Sequence, residues 1–204
     1  MAAAPDRSGS PPSAASGAPR AVSGTVSAGS AAEDLGPGAV LGIDPGTQVM
    51  GYGAIRLDGR QYRMVEAGTV RAKASQSVPE RLGDLLCGIE EVLDAIQPAV
   101  VVVERAFFGR NVHSALRLGE GRGLVLASAA RRGLQVAEIT PASVKRIVVG
   151  NGGAEKSQVA HMVGLELGLD LSGSPHDATD ALALALAWLR SRSSLGLPIS
   201  ALPR

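Results

Sequence analysis

The chain has 204 residues, with 20 Lys or Arg against 19 Asp or Glu and only 2% aromatic residues, a length that suits one domain of ordinary size plus an appendage. Its longest uninterrupted apolar run, Ala181 to Leu189, is nine residues, far short of the ~20 that a membrane-crossing helix needs. The single cysteine, Cys87, can make neither an internal disulfide nor a thiolate zinc cage, so a reducing, cytoplasmic setting fits best.

Residues 1–38 hold 10 Ala, 7 Ser, 6 Gly and 5 Pro, too little apolar surface to offset the entropy of ordering, and are expected to form a disordered arm. The arm has neither the basic start nor the apolar stretch of a secretory signal. The folded part is expected over residues 39–192, followed by a flexible tail over 193–204. Within it, Ala39 to Ile43 reads as a strand ending on Asp44-Pro45-Gly46-Thr47. Gly51 to Leu57 and Gln61 to Val70 read as two more, joined across Asp58-Gly59, a hairpin signal. Pro79 to Ile96 carries Leu82, Leu85, Leu86, Ile89, Val92, Leu93 and Ile96 at helical spacing. Pro98 then stops the helix, and Val100 to Val103 is apolar enough for a central strand covered on both faces, closed by Glu104.

Residues 111–132 return to a helical pattern, and Gln135 to Ile139 is a further strand. Thr140-Pro141 is a helix N-cap followed by proline at the first helical position. The helix it opens runs to about Val149, and others follow at about Glu155 to Leu167 and Asp177 to Arg192. Three strands, then helix, strand, helix, strand and helices fit an α/β fold with a mixed sheet flanked by helices.

Asp44 and Glu104 close apolar strands, and Asp177 and Asp180 share one face of the last helix just before its most apolar stretch. Acids gathered together repel unless a cation neutralises them, and oxygen-only ligand sets suit Mg²⁺ or Mn²⁺. Two such ions can clamp the attacking and leaving oxygens of a phosphodiester. Each acid also has an ordinary explanation: a turn for Asp44, an exposed strand end for Glu104, the helix macrodipole for Asp177. Spacing alone does not bring them together.

Charge and aromatic content add two clues. Between Glu104 and Ala160, nine Lys or Arg, among them Arg110, Lys145 and Lys156, stand against four acids. A basic band beside carboxylates suits a polyanion. Phe107 and Phe108 lie three and four residues past Glu104 in a chain nearly free of aromatics, on a loop where they could stack on unpaired bases or lie as a hydrophobic lid. Gly150 to Ser157 is not a phosphate loop, because Glu155 replaces the glycine required before Lys156-Ser157. His176 beside Asp177 is a candidate to support a metal ligand.

Taken together and in order, Leu41-Gly42-Ile43-Asp44-Pro45-Gly46-Thr47, Gly51-Tyr52-Gly53, Glu104-Arg105-Ala106-Phe107, Ser114 to Gly119, Ala154-Glu155-Lys156-Ser157-Gln158-Val159 and Asp177-Ala178-Thr179-Asp180-Ala181-Leu182-Ala183 closely resemble the RuvC family of bacterial Holliday-junction resolvases. The resemblance covers residues 39–190. It implies a ribonuclease-H-like fold with a mixed five-stranded sheet, a homodimer, and divalent-metal cleavage of four-way DNA junctions by two symmetric nicks. It also implies two Mg²⁺ per site, with Mn²⁺ able to substitute, and a handover from the RuvA and RuvB branch-migration proteins. Carried over by position, its four acids are Asp44, Glu104, Asp177 and Asp180, its junction wedge is Phe107, and its phosphate-contacting lysines are Lys145 and Lys156. The rival readings are a non-catalytic junction-binding protein and an actin-like ATPase, for which the ordered chain is too short.

Overall fold

The computed structural model describes residues 23–27, 38–105 and 112–194. Six strands form one sheet: β1 (Ser23–Ser27), β2 (Val40–Asp44), β3 (Val49–Asp58), β4 (Gln61–Arg71), β5 (Val100–Glu104) and β6 (Gln135–Ile139), in the order β1-β4-β3-β2-β5-β6. The helices are α1 (Val78–Ile96), α2 (Val112–Arg131), α3 (Pro141–Val149), α4 (Lys156–Leu167) and α5 (His176–Ser194). Strands β2 to β6 are the expected five-stranded mixed sheet: β4, β3 and β2 are antiparallel neighbours, while β5 and β6 run parallel to β2.

β1 corrects one expectation. Ser23–Ser27 falls inside the segment assigned by composition to a disordered arm, yet it pairs antiparallel with β4, Val26 opposite Ala67. Main-chain bonding to an open sheet edge needs little apolar content, so composition carries no signal of it. The rest of that arm, 1–22 and 28–37, and positions 195–204 of the expected tail lie outside the described residues. α5 extends to Ser194, past the expected start of the tail at 193.

Local chemistry explains the element ends. The β3–β4 hairpin turns where expected, with Gly59 at φ 60°, a conformation that costs glycine nothing. Ser77 donates both its backbone N–H and its hydroxyl to Glu80 at 2.8 Å, opening α1. Thr140 Oγ1 accepts from the Ser143 N–H at 3.2 Å, and with Pro141 behind it starts α3 at the expected residue.

Two apolar layers sandwich the sheet. Leu41, Ile43, Met50, Tyr52, Val101 and Val103 face one way and pack with Leu85, Ile89 and Val125 of α1 and α2. Val40, Ile55, Val100 and Val102 face the other way and pack with Leu182, Leu186 and Trp188 of α5. Val100 to Val103 are each 0% exposed, so β5 is the doubly covered central strand that its four valines predicted. Burial of each is worth about 1.5–3 kcal/mol over leaving it exposed. Among the described residues no helix is long and apolar enough to cross a membrane.

Candidate active site

Strand alternation delivers two of the acids. On β2 the residues facing α5 are Val40, Gly42 and Asp44; on β5 they are Val100, Val102 and Glu104. The two strands are parallel with Ile43 opposite Val103, so the next residues, Asp44 and Glu104, stand side by side at the same end of the same face. Each is the first polar group past a fully buried run, and each is half-buried.

α5 brings the other two acids. Its first turns hold Asp177 and Asp180, and the helix then runs down over the sheet as the buried stretch Ala181 to Leu189. Lys156, the first residue of α4, reaches across so that its Nζ lies 2.6 Å from Asp180 Oδ2. Lys145 of α3 completes the group, lining with Glu104, Lys156 and Asp180 a small cleft floored by Val144 and Val159.

The electrostatics follow from this crowding. Burial, reinforced by the like charges of Asp180, Glu104 and Asp177, pushes the Asp44 carboxyl up to about 6. Burial, with Asp180 adding to it, also raises Glu104 above the ordinary carboxylate range. Lys156 opposes both shifts, and its own ammonium is held protonated chiefly by its hydrogen bond to Asp180. Among the described residues no three His, Cys, Asp or Glu side chains close on one point at ligand distance; the Lys156 ammonium supplies the positive charge. Four carboxylates at one end of the sheet, one of them lifted to about 6 by burial and by the charges of the other three, are a donor set that fits a divalent cation of the Mg²⁺ or Mn²⁺ type.

Comparison with known proteins adds an independent line. A family model described as Crossover junction endodeoxyribonuclease RuvC matches residues 40–188. The chain belongs to the RuvC family. It is 44% identical over 146 residues to the Crossover junction endodeoxyribonuclease RuvC of Chloroflexus aggregans, covering 72% of this chain and 89% of that one. A RuvC from Protochlamydia amoebophila is 42% identical over 147 residues, covering 72% of this chain and 88% of the other. Among solved structures, T. thermophilus RuvC in complex with Holliday junction substrate aligns with a TM-score of 0.69 at 31% identity, over 78% of this chain and 96% of that one. The yeast mitochondrial Holliday junction resolvase Ydc2, at 14% identity and a TM-score of 0.58 over 80% of this chain and 85% of that one, shares the fold.

Within this RuvC-family chain, the fold draws Asp44, Glu104, Asp177, Asp180, Lys145 and Lys156 to one end of the sheet. Phe107 and Arg110 lie outside the described residues. His176 does not face the cleft of Glu104 and Lys145; it lines, with His161, Ser157 and Thr179, a separate hollow of about 590 Å³ behind α4. The basic band is narrower than its count suggested. Arg105 and Arg122 both pair with Glu138, and Arg131 and Arg132 pair with Glu90 and Asp94 of α1. Arg117, Lys145 and Arg146 make no ion pair among the described residues. Sequence reasoning gave no place in the cleft to Val144 and Val159, which line it. Helical spacing from the recognised cap at Thr140 would have found Val144, the residue whose N–H bonds to the Thr140 carbonyl.

Proposed function

We propose that this chain is a divalent-metal-dependent endonuclease that resolves four-way (Holliday) DNA junctions in recombination and repair, acting in the cytoplasm as a homodimer that makes two symmetric nicks. The observation that carries the reading is the grouping of Asp44, Glu104, Asp177 and Asp180 at one end of the sheet, with Asp44 pushed up to about 6 and Lys156 against Asp180.

Asp44, Glu104, Asp177 and Asp180 would hold the metal, most simply two Mg²⁺, with Asp44 shared because the charges of the other three acids all act on it. When bound, such ions polarise the scissile phosphodiester and lower the cost of forming a nucleophile from water. The chain's own groups do the rest. Lys156, on the rim with its side chain 79% exposed, is free to leave Asp180 for a phosphate oxygen and to offset charge gathering there. Lys145 adds a second cation in the same cleft. Val144 and Val159 line the cleft with apolar surface, which strengthens these attractions. Phe107, three residues past Glu104, would enter the junction centre, and Arg110 would hold the adjacent phosphate.

The outer face of α2 supports the dimer. Leu116 is 61% exposed, and a side chain added at Gly119 or Gly123 would meet nothing within 4 Å among the described residues, so none of those residues accounts for their small size. A second copy approaching along this face would, and a two-fold dimer matches a substrate with two like strands to cut. Handover from the RuvA and RuvB branch-migration proteins completes the proposed setting.

The test is cleavage of a labelled four-way junction beside a plain duplex, in Mg²⁺ and in chelator, for the native chain and Asp44→Asn. Paired nicks on the junction alone, lost in chelator and in the variant, are the expected result. Junction binding without any cut, in Mg²⁺ or Mn²⁺, would replace this reading with a non-catalytic junction binder.

A further inference from the structure

In the antiparallel β2–β3 pair, the residue directly opposite Asp44 is Gly51, and the residue opposite Gly42 is Gly53. Opposed residues in such a pair project to the same face. Gly42, Asp44, Gly51 and Gly53 therefore all look at α5, and three of the four present no side chain to it.

The helix uses that space with its backbone. A Cβ built on Gly51 would stand 1.9 Å from the Asp177 carbonyl oxygen and 2.2 Å from its carbon. One built on Gly42 would stand 2.0 Å from the Ala181 carbonyl oxygen. Ordinary contact begins near 3.4 Å, so an alanine at position 51 requires the amino end of α5 to retreat by roughly 1.5 Å in a close-packed interior that transmits strain. The carbonyl it strikes belongs to Asp177, one of the four acids, and the residue beside Ala181 is Asp180, another. Gly53 repeats the clash less severely: a Cβ there would meet Leu182 Cγ at 2.6 Å and the Leu182 backbone nitrogen at 2.9 Å, whereas one on Gly88 of α1, in the other layer, would first meet the Val70 side chain, at 2.3 Å.

We infer that Gly51, with Gly42 one turn further along, is a positioning residue for the acid site: the missing side chain sets how closely Asp177 and Asp180 approach Asp44, and thereby the affinity of the site for a divalent cation. The inference rests on the metal-dependent reading above and adds to it a determinant on the opposite strand that touches neither metal nor DNA. It explains why Gly-Tyr-Gly sits at this level of β3. Tyr52 between the glycines turns to the other layer, where it is fully buried and its hydroxyl donates to Glu66 at 2.6 Å.

The experiment is Mn²⁺ binding, followed by electron paramagnetic resonance without DNA, on the intact chain, Gly51→Ala, Gly88→Ala, Asp177→Glu and the double variant Gly51→Ala/Asp177→Glu, each checked for a cooperative thermal melt. Gly51→Ala is expected to lose about 10- to 100-fold in Mn²⁺ affinity, as displacement of supporting groups does in metal sites, and Gly88→Ala, which crowds the other layer, to bind normally. Asp177→Glu is expected to weaken binding in the native chain, where the site is close-set, and to restore it in the Gly51→Ala background, where the extra methylene spans the wider gap. That sign reversal is a coupling which simple loss of stability does not produce. Native affinity in Gly51→Ala, equal loss in Gly88→Ala, or additive effects of Gly51→Ala and Asp177→Glu would overturn the inference while leaving the metal reading intact. Absence of Mn²⁺ binding by the intact chain would overturn both. Should Gly51→Ala not melt cooperatively, Asp177→Glu alone still decides, since unchanged affinity there means that the spacing is not tightly set.

Discussion

Lys156 and Asp180, 24 residues apart in sequence, meet at 2.6 Å at the mouth of the acid site, and Lys156 also feels Asp44 and Glu104. The ammonium is therefore the counter-ion of the acids whenever no metal is there, and it competes with a metal for Asp180. Replacing it has two opposite consequences. Lys156→Gln is expected to bind Mn²⁺ at least as tightly as the native chain, and yet to cleave junctions about 10²- to 10³-fold more slowly, the loss typical of a removed charge-stabilising group. Single-turnover cleavage beside a cation titration checks both; parallel losses in the two would make Lys156 a structural tether only.

Asp44 carries a stability signature. Its carboxyl titrates near 3.8 in the unfolded chain and near 6 in the folded one. Below 3.8 both forms are protonated and the group contributes nothing. Between the two values the native state holds a proton that the unfolded state has lost, so stability falls as pH rises, and above about 6 the full penalty persists. That penalty is on the order of 1–3 kcal/mol, or roughly 3–10 °C in a domain of this size. In chelator, Asp44→Asn is thus expected to melt higher than the native chain at about pH 8 and alike at about pH 4, as followed by circular dichroism. Added Mg²⁺ is expected to raise the native chain alone and close the gap. Equal melting at the higher pH in chelator would mean that the carboxylate is solvated as well in the site as in the unfolded chain.

Phe107 tests the junction contact apart from the chemistry. Phe107→Ala is expected to leave Mn²⁺ affinity intact while weakening the opening of the junction centre by about 1–3 kcal/mol, the worth of one stacked base. A 2-aminopurine placed at the crossover reads this directly, and unchanged fluorescence with unchanged cleavage would assign Phe107 to packing.

The outer face of α2 is read by mass. Leu116→Glu puts a charge on the surface proposed to meet a second copy, and it is expected to sediment as a monomer and to nick one strand at a time. If the variant stays dimeric, the dimer uses another face.

Much of this was open to sequence reasoning because the informative residues break their own pattern. Four valines end in Glu104, an apolar strand ends in Asp44, and an apolar helix begins with two acids; each is a charge where packing alone would not put one. Asp58-Gly59 and Thr140-Pro141 are local chemistry, and both act where they stand. What escaped was non-local. That Arg105 and Arg122 are both held by Glu138 depends on β6 lying beside β5, which no window of sequence contains. The pairing of Ser23–Ser27 with β4 is main-chain bonding, to which composition is blind. His176 faces away from the cleft because it opens α5 one residue before Asp177, and one residue is a large rotation on a helix.

Side-by-side registry of Ile43 with Val103 has a bearing on genome safety. A strand mispaired by a single residue turns every side chain to the opposite layer, so in a chain that has folded with β2 or β5 out of step, Asp44 or Glu104 would be carried beneath α1 and α2 and away from Asp180. With the roles proposed for these acids, such a molecule would not cut. On that proposal the alternation that gathers the acids would also act as a check on folding: a copy able to cut DNA would be one whose two central strands have found their correct partners.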